Sequence, residues 1–98
     1  MNEIHFEWDE AKNTKNIKKH KISFEEASTV FYDENAVVFD DPEHSLDEDR
    51  FLIIGFSTSR KLCIVSHCYR SNDNIIRLIS ARKAEKSEQK AYIDFNQM

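Results

Sequence analysis

The chain has 98 residues, a net charge of −4, and 40% apolar and 11% aromatic side chains. This length fits one domain, residues 1–98, and the composition is that of a folded protein rather than a disordered one. The longest apolar run, Phe51–Phe56, is far shorter than the ~20 residues of a membrane-spanning helix, and the acidic N-terminal segment lacks the apolar core of a secretory signal. We therefore expect a cytoplasmic protein without a membrane partner.

The net charge conceals an asymmetry between the two halves of the chain. Residues 1–50 carry 6 Lys and Arg against 14 Asp and Glu, whereas residues 51–98 carry 8 against 4. A basic half of this kind suggests an anionic ligand.

The first residues predict a short strand followed by a lysine-rich helix. Residues 4–8 alternate weakly between apolar and polar, and Asp9 is of a type that caps helix N-termini. The segment Lys12–Lys21 has five lysines and one histidine but no acid. One face of the predicted helix carries Lys12, Lys15, Asn16 and Lys19. This face is either merely solvated or contacts the phosphates of a nucleic acid.

A second helix is predicted from a capping-box pattern, with Ser23 at the N-cap and Glu26 three residues later. Its apolar positions indicate a core-packing helix that ends near Tyr32. We expect Glu25 to reach back to a lysine of the first helix. Residues 36–39 then form a short apolar run that is typical of a strand.

The acidic segment at residues 40–49 contains the only proline and predicts an exposed loop. An alternative is a metal site, for which Asp40, Asp41, His44 and Asp47 are the candidate ligands. The spacing fits no EF-hand, because the glycine that such a loop requires at its sixth position is absent. A solvated loop is therefore favoured, with no metal ligand assigned.

The rest of the chain predicts three strands followed by a helix. Phe51–Ser57 is almost continuously apolar, which favours a central strand that is covered on both faces. Leu62–Val65 and Ile75–Ile79 read as the two strands of an antiparallel hairpin, and Lys83–Phe95 reads as a final helix. The fold class is therefore α+β, with two N-terminal helices and a C-terminal helix packed on an antiparallel sheet.

The hairpin carries polar side chains that strands of a core seldom contain: His67, Tyr69, Arg70, Arg77, Arg82 and Lys83. Buried arginines are costly unless an anion pairs with them. If Ser71–Asp73 forms a three-residue turn, His67 lies directly opposite Arg77, and Tyr69 faces Ile75 beside them. A turn of another length shifts the register by one residue and separates His67 from Arg77.

A histidine, arginines and a tyrosine on one sheet face suit RNA cleavage without a metal ion. The 2′-hydroxyl must lose a proton, the leaving 5′-oxygen must gain one, and cations must stabilise the charge on phosphorus. Histidine has a reference pKa of ~6.5, and arginine grips phosphate oxygens with two hydrogen bonds. The alternative from residue types alone is a structural cluster paired with the acidic half of the chain.

The two cysteines, Cys63 and Cys68, do not predict a disulfide or a zinc site. They are five residues apart on one predicted strand, so their side chains point to opposite faces, ~16 Å apart along it. No CxxC pair is present. We expect no cofactor.

Three segments together resemble the BrnT family of bacterial toxins, in order and spacing, over nearly the whole chain. They are FEWDEAKNTKNIKKHKISFEEA at residues 6–27, DDPEH at 40–44 and RLISARKA at 77–84. The family's opening pattern falls on Trp8, Asp9, Lys12, Asn16, Lys19 and His20, and its hairpin pattern on His67, Arg70, Arg77, Ile79, Ser80, Ala81 and Arg82. Lys21 departs from the family, which usually has glycine there.

This resemblance implies a RelE-like fold and a ribonuclease that inhibits translation and growth. It also implies a cognate ribbon-helix-helix antitoxin, with operator DNA bound only through the toxin–antitoxin complex. Our hypothesis for the site assigns a proton-transfer role to His67 and binding of the scissile phosphate to Arg77 and Arg82. The remaining predicted site residues are Lys19, His20, Arg70 and Lys83 for RNA binding, with Tyr69 and Glu88 as support. Glu88 is expected to orient Arg82 or Lys83.

Three alternatives stay open on sequence grounds. The first is a non-catalytic module that docks a regulatory partner or nucleic acid through the hairpin arginines. The second is a metal-dependent nuclease that uses the acidic loop. The third is an inactive remnant of a toxin. Cleavage by the purified protein and its resistance to a chelator distinguish among them.

Overall fold

The computed structural model describes residues 4–43, 49–70 and 74–97 and contains a five-stranded sheet with three α-helices. The strands are β1 (His5–Glu7), β2 (Val37–Asp40), β3 (Phe51–Phe56), β4 (Leu62–Arg70) and β5 (Ile75–Lys83). The helices are α1 (Glu10–His20), α2 (Phe24–Ser28) and α3 (Lys86–Asn96), and a 3₁₀ turn (Thr29–Tyr32) follows α2 directly. The predicted α+β class is confirmed.

The sheet is mixed, so the prediction of a purely antiparallel sheet is wrong. The strand order is β1-β5-β4-β3-β2, in which β1 runs parallel to β5 and every other pair is antiparallel. A parallel pair requires a long connection between its strands, and nearly the whole chain separates β1 from β5. Local alternation of polar and apolar residues does not report the direction of a partner strand.

Both faces of the sheet are covered by helices. Residues from α2 and its 3₁₀ extension pack on one face, in a cluster that includes Phe24, Val30, Ile53 and Val65. On the other face Tyr92 of α3 packs in a smaller cluster with Ile54 and Ile64. Strand β3 lies between β2 and β4 and is buried on both faces, although β4 is the central strand.

The single glycine allows the 3₁₀ turn to approach β3 closely. A Cβ atom at Gly55 would lie 2.9 Å from Val30 Cγ1, 3.1 Å from Ala36 Cβ and 3.1 Å from Asp33 Oδ2. A distance under 3 Å between carbon atoms is repulsive, and core atoms cannot retreat from it without cost. Gly55 is therefore required by packing on this face.

Helix α1 begins and ends with recognisable caps. Asp9 Oδ1 accepts hydrogen bonds from the backbone N–H groups of Ala11 (2.8 Å) and Lys12 (3.3 Å), which confirms the predicted N-cap. Lys21, the residue after the last residue of the helix, is its C-cap. It has a left-handed backbone (φ 62°, ψ 28°), and its N–H donates to the carbonyl of Ile17. Glycine is the residue type that adopts this conformation most easily.

Helix α2 has the predicted cap but only half of the predicted capping box. Ser23 Oγ accepts a hydrogen bond from Glu26 N–H (3.0 Å). The Glu26 carboxylate instead accepts hydrogen bonds from the hydroxyls of Ser57 (2.8 Å) and Ser59 in the turn after β3. Glu25 accepts a hydrogen bond from the side-chain amide of Asn13 (3.1 Å) rather than contacting the predicted lysine.

Helix α3 begins later than the sequence pattern predicts, because β5 continues through Lys83. A carboxylate beneath the helix holds it on the sheet: Asp33 Oδ2 accepts hydrogen bonds from the Tyr92 hydroxyl (2.9 Å) and from Phe56 N–H (2.8 Å). Burial alone would raise the pKa of Asp33, but these hydrogen bonds and one from Asn35 N–H lower it. Burial and the Asp33 carboxylate raise the pKa of Tyr92 to about 12.

Among the described residues, no helix has the length and apolar character that crossing a lipid bilayer requires.

Candidate functional site

The register of the β4–β5 hairpin differs by one residue from the predicted one. Arg70 pairs with Ile75, and the same register continues to His67, which pairs with Leu78. The predicted turn at residues 71–73 lies outside the described residues. Arg77 pairs with Cys68, so its side chain and that of His67 lie on opposite faces of the sheet. The predicted pairing of His67 with Arg77 is therefore wrong.

A β-bulge interrupts the hairpin in the middle of β5. Ser66 pairs with Ser80, but the next residue of β4, His67, pairs with Leu78, so that Ile79 is the extra residue. A bulge of this kind re-aims the side chains on either side of it. On the C-terminal side of the bulge, Ser80 and Arg82 lie on the same face of the sheet as Ile64. This is the face on which α3 packs.

His67 lies in the core and has no exposed surface (0%). Its ring packs edge-on against Phe31, with centroids 4.8 Å apart, and lies 6.1 Å from the ring of Phe51. Its Nδ1 atom is 3.2 Å from the carbonyl oxygen of Val65, and Nε2 is 3.3 Å from the hydroxyl of Tyr69. Burial lowers the pKa of His67, which favours the neutral ring. The structure thus places the predicted proton-transfer residue where RNA has no direct access.

Arg77 and Arg70 both lie close to the carboxylate of Glu7, the last residue of β1. Arg77 Nη1 donates a 2.6 Å hydrogen bond to Glu7 Oε2, and Arg70 Nε lies 3.7 Å from the same oxygen. The parallel register of β1 and β5, which places Glu7 beside Arg77, creates this cluster. A carboxylate 70 residues away in sequence therefore pairs with the predicted phosphate ligand.

Arg82 is oriented by a bidentate ion pair with α3. Its Nη1 and Nη2 atoms donate 2.8 Å hydrogen bonds to the two carboxylate oxygens of Glu88, so the predicted contact is present. The pair raises the pKa of Arg82 and lowers the pKa of Glu88. Arg82 and Arg77 face the same side of the sheet, because their partners Ile64 and Cys68 are four residues apart on β4. That spacing separates them by about 13 Å along the strand, too far to share one phosphate.

Helix α1 is attached to the outer edge of β5 through Asn16. The side-chain amide of Asn16 donates to the carbonyl of Ala81 (2.8 Å) and accepts from Ala81 N–H (3.0 Å), and it also donates to the carbonyl of Ile22 (2.9 Å). Asn16 is therefore a buried structural residue, not part of the exposed face on which its spacing placed it. This attachment sets the lysines of α1 beside the bulge.

Two depressions meet at the bulge and form one continuous surface, which we call the α1–β5 groove. The first has a volume of about 220 Å³ and lies between α1 and β5; its lining is Lys12, Lys15, Asn16, Lys19, His20, Ile79 and Ser80. The second has a volume of about 270 Å³ and lies on the sheet; its lining is Asp41, Pro42, Glu43, Arg50, Leu52, Ser66, Ile79, Ser80 and Arg82. Ile79 and Ser80 belong to both.

The α1–β5 groove has a strongly positive half and a mixed half. Of the residues that the structure describes, no Asp or Glu lines the depression beside α1, whereas Asp41 and Glu43 line the depression on the sheet. A row of cations next to hydroxyl groups is suited to a chain of phosphates. The groove therefore has the chemistry of a polyanion-binding surface.

His20 is the histidine of the groove. It is half-buried at the end of α1, and partial burial lowers its pKa, with further lowering by the positive charges of Lys19 and Arg82. The influence of Arg82 connects α1 electrostatically to β5 across the groove. Both effects favour the neutral form of the imidazole ring.

One predicted RNA-binding residue lies apart from the groove, and two residues that line the groove were not predicted. Lys83, a predicted RNA-binding residue, lines a separate depression between α3 and the sheet, together with Phe56, Tyr92 and Ile93. Arg50 and Ser66 line the groove but were not among the predicted residues, whereas Ser80 belongs to the family's hairpin pattern. Ser66 lies on β4, and the face that it occupies depended on a register that the sequence left open. Arg50 precedes β3 and carried no local signal. The larger α3 depression, about 410 Å³, also contains the cations Arg60 and Lys61, together with apolar side chains such as Leu62 and Ala84.

Within the described residues, no three His, Cys, Asp or Glu side chains converge as metal ligands. His44 and Asp47, two of the candidate ligands in the acidic loop, lie outside that part of the chain. Cys63 and Cys68 are both free thiols, as predicted, and burial raises the pKa of Cys63 to about 11.

The sequence profile of a family described as the ribonuclease toxin BrnT of type II toxin–antitoxin systems matches residues 8–88. The match includes α1, the whole hairpin and Glu88, and thus every element that lines the groove. The chain belongs to the BrnT family. BrnT proteins are ribonuclease toxins, and a type II system pairs such a toxin with a cognate antitoxin.

The 1.1 Å crystal structure of the Brucella abortus ribonuclease toxin BrnT has a similar fold, with a TM-score of 0.66. The two chains are 24% identical, and the similarity covers 86% of this chain and 100% of that one. No curated protein sequence matches this chain. The similarity supports the α+β fold, while the RelE-like label stays a prediction.

Proposed function

We propose that this BrnT chain is a metal-independent endoribonuclease whose substrate lies in the α1–β5 groove. The observation that carries the proposal is the row of cations on both sides of the bulge, in which Arg82 is oriented by Glu88. Arginine fixed in this way presents planar, charged donors to phosphate oxygens at little entropic cost. Cleavage of messenger or ribosomal RNA in the cytoplasm would inhibit translation and arrest growth.

In this proposal, some residues of the groove bind the RNA and others stabilise the charge of the transition state. Arg82 binds the scissile phosphate, and Lys19 and His20 bind the RNA strand from the side of α1. Arg50 lines the groove beside Arg82 and supplies a further positive charge at the phosphate. Positive charge placed where negative charge develops on phosphorus stabilises the transition state, and such electrostatic effects are usually the largest part of catalysis.

Arg77 and Arg70 bind a more distant part of the RNA in this proposal. Their shared partner Glu7 is half-exposed, and a phosphate that approaches can compete with it for the guanidinium groups. Tyr69, next to Arg70 on β4 but on the opposite face of the strand, is 37% exposed and offers a ring on which a base can stack. His67 then has a supporting role, because its Nε2 atom lies 3.3 Å from the Tyr69 hydroxyl.

The partner in this proposal is a ribbon-helix-helix antitoxin that blocks the groove. An acidic segment of the antitoxin would neutralise Lys12, Lys15 and Lys19, and the antitoxin alone would contact operator DNA. Since exposed charges carry such an interface, its affinity should fall as salt is added. A complex in which antitoxin and RNA bind at the same time would contradict this part of the proposal.

The decisive experiment is expression in a bacterial host that lacks an antitoxin, together with cleavage of RNA by the purified protein. Wild type should arrest growth, degrade RNA and remain active in excess chelator. Arg82→Ala should lose activity at least 100-fold, with the same melting temperature to within a few degrees. Arg60→Asn is the matched control, since it removes one exposed positive charge outside the groove and asparagine tolerates the left-handed backbone there (φ 65°).

A specific observation favours a second candidate, the non-catalytic binding module. Both Arg77 and Arg82 already have carboxylate partners, as cations with purely structural roles do. Wild-type protein that binds RNA or a protein partner but leaves RNA intact, both free and on ribosomes, would support this candidate. Cleavage that stops when metal is removed would instead favour a metal-dependent nuclease.

A further inference from the structure

The feature from which we draw a further inference is the position of His20 in the α1–β5 groove. Of the three histidines in the described part of the chain, His67 is fully buried and His5 lies on β1, away from the groove. His20 alone lines the groove, beside Lys19 and Ser80. It is the last residue of α1, and two contacts fix that end of the helix: Asn16 on Ala81, and the left-handed cap at Lys21.

The charges around His20 favour its neutral form. On its own helix, Lys12, Lys15 and Lys19 line the same depression, and Arg82 acts on it from β5. Among the described residues, no carboxylate lines this depression. Glu88 of α3 is bonded to Arg82, and Asp41 and Glu43 line the other half of the groove, on the sheet. A histidine with this environment differs from one held by an acid, which would be protonated and unable to accept a proton.

We propose that His20 is the catalytic base of RNA cleavage, a role that rests on the proposed ribonuclease function. A ring nitrogen of His20 removes the proton from the 2′-hydroxyl of the nucleotide on the 5′ side of the scissile bond. The 2′-oxygen then bonds to phosphorus while the bond from phosphorus to the 5′-oxygen breaks. The leaving 5′-oxygen takes a proton from water, and His20 later releases its proton to solvent. The products are a 2′,3′-cyclic phosphate and a 5′-hydroxyl.

The same cations serve two purposes in this arrangement. They bind the phosphates, and they keep the imidazole neutral so that it is ready to accept a proton near pH 7. General-base catalysis contributes typically 10²–10⁴-fold, so the loss of His20 should be large. A residue that merely positions RNA would change affinity and leave the pH dependence of the rate unaltered.

The test measures the pH dependence of single-turnover cleavage of a mixed-sequence RNA transcript, free and on ribosomes. For wild type, the rate should fall on the acid side with an apparent pKa below 6.5, because protonation inactivates the base. His20→Gln should lower the rate at least 100-fold and remove this acid limb. A transcript with 2′-O-methyl groups should stay intact, since it has no proton to remove. Imidazole added to His20→Ala should restore part of the rate.

Two lysine variants supply a signature that a structural role would not produce. Lys19→Gln removes a positive charge beside His20, so its acid limb should move to higher pH. Lys18→Gln is the matched control: it makes the same charge change one residue earlier on α1, at a side chain that does not line the groove. Its acid limb should coincide with that of wild type.

The possible results separate this inference from the proposal beneath it. If wild type cleaves RNA and His20→Gln cleaves it within about 3-fold, or if the wild-type rate has no acid limb, His20 is not the base and the ribonuclease proposal stands. If His20→Gln is poorly folded, two other measurements still test the role of His20: the acid limb of the wild-type pH–rate profile, and the shift of that limb in Lys19→Gln. If wild type leaves RNA intact in every condition, both the ribonuclease proposal and this inference are wrong.

Discussion

The side-chain amide of Asn16 forms a two-way hydrogen-bonded pair with the backbone of Ala81, at 2.8 and 3.0 Å. The two residues are 65 positions apart, and Ala81 lies on β5 beyond the region in which β1 covers its outer edge. Asn16 therefore replaces the strand that would otherwise continue the sheet. The contact positions the lysines of α1 beside the bulge.

Replacing Asn16 by Ala should destabilise the protein by about 3 kcal/mol, because it leaves buried backbone groups of Ala81 and Ile22 without partners. Chemical denaturation is the measurement. Thr14→Ala, an exposed change on the same helix, should stay within about 0.5 kcal/mol of wild type. An equal effect of the two changes would show that Asn16 does not hold α1 on the sheet.

The buried ring of His67 should make the protein less stable at mildly acidic pH. Its pKa is lowered in the folded state, so the unfolded chain binds more protons between that lowered value and the ordinary 6.5. The free energy of unfolding should therefore fall as pH drops below 6.5, by at most about 1.4 kcal/mol per pH unit for this one group. Denaturation of His67→Leu between pH 7 and 5 should give a shallower slope than that of wild type. Equal slopes for His67→Leu and wild type would contradict the prediction.

The carboxylate of Glu88 should matter more for RNA cleavage than for folding. Glu88→Gln keeps the shape of the side chain but removes the charge that orients Arg82, and a misplaced guanidinium should lower cleavage about 10-fold. The pKa of Glu88 is lowered in the folded state, so its ion pair stabilises the protein above pH 4.5 and is lost as pH falls through that lowered pKa. Asp94→Asn, which breaks the exposed Lys90–Asp94 pair on the same helix, is the control and should leave cleavage unchanged.

A glycine at position 21 should stabilise this protein. Lys21 has a left-handed backbone, which costs a residue with a Cβ atom about 1 kcal/mol relative to glycine. Lys21→Gly should therefore raise the free energy of unfolding by about 0.5–1 kcal/mol. Lys18→Gly removes the same charge inside α1 and should lower it by about 1 kcal/mol. A loss of stability in both variants would contradict this account of the helix end.

The helices and strands of this fold could be predicted from the sequence because they depend on local chemistry. Asp9 and Ser23 have the side chains that helix N-termini require, and both act as N-caps in the structure. The short apolar runs Leu62–Val65 and Ile75–Ile79, rich in β-branched residues, predicted two paired strands, and both runs lie in the antiparallel pair β4–β5. The expected contact of Glu88 with Arg82 or Lys83 is present as a bidentate pair with Arg82.

The sequence by itself therefore determined the elements, the family and the basic character of the site, because each depends on neighbouring residues or on their order. Only the tertiary structure decided which residues meet. The register that pairs Arg77 with Cys68 separated Arg77 from His67, since one residue of register moves a side chain to the other face of a sheet, and the parallel pairing of β1 placed Arg77 beside Glu7. Burial then removed His67 from the surface and left His20 in the groove, because the exposure of a histidine depends on what packs around it and not on its neighbours in the chain.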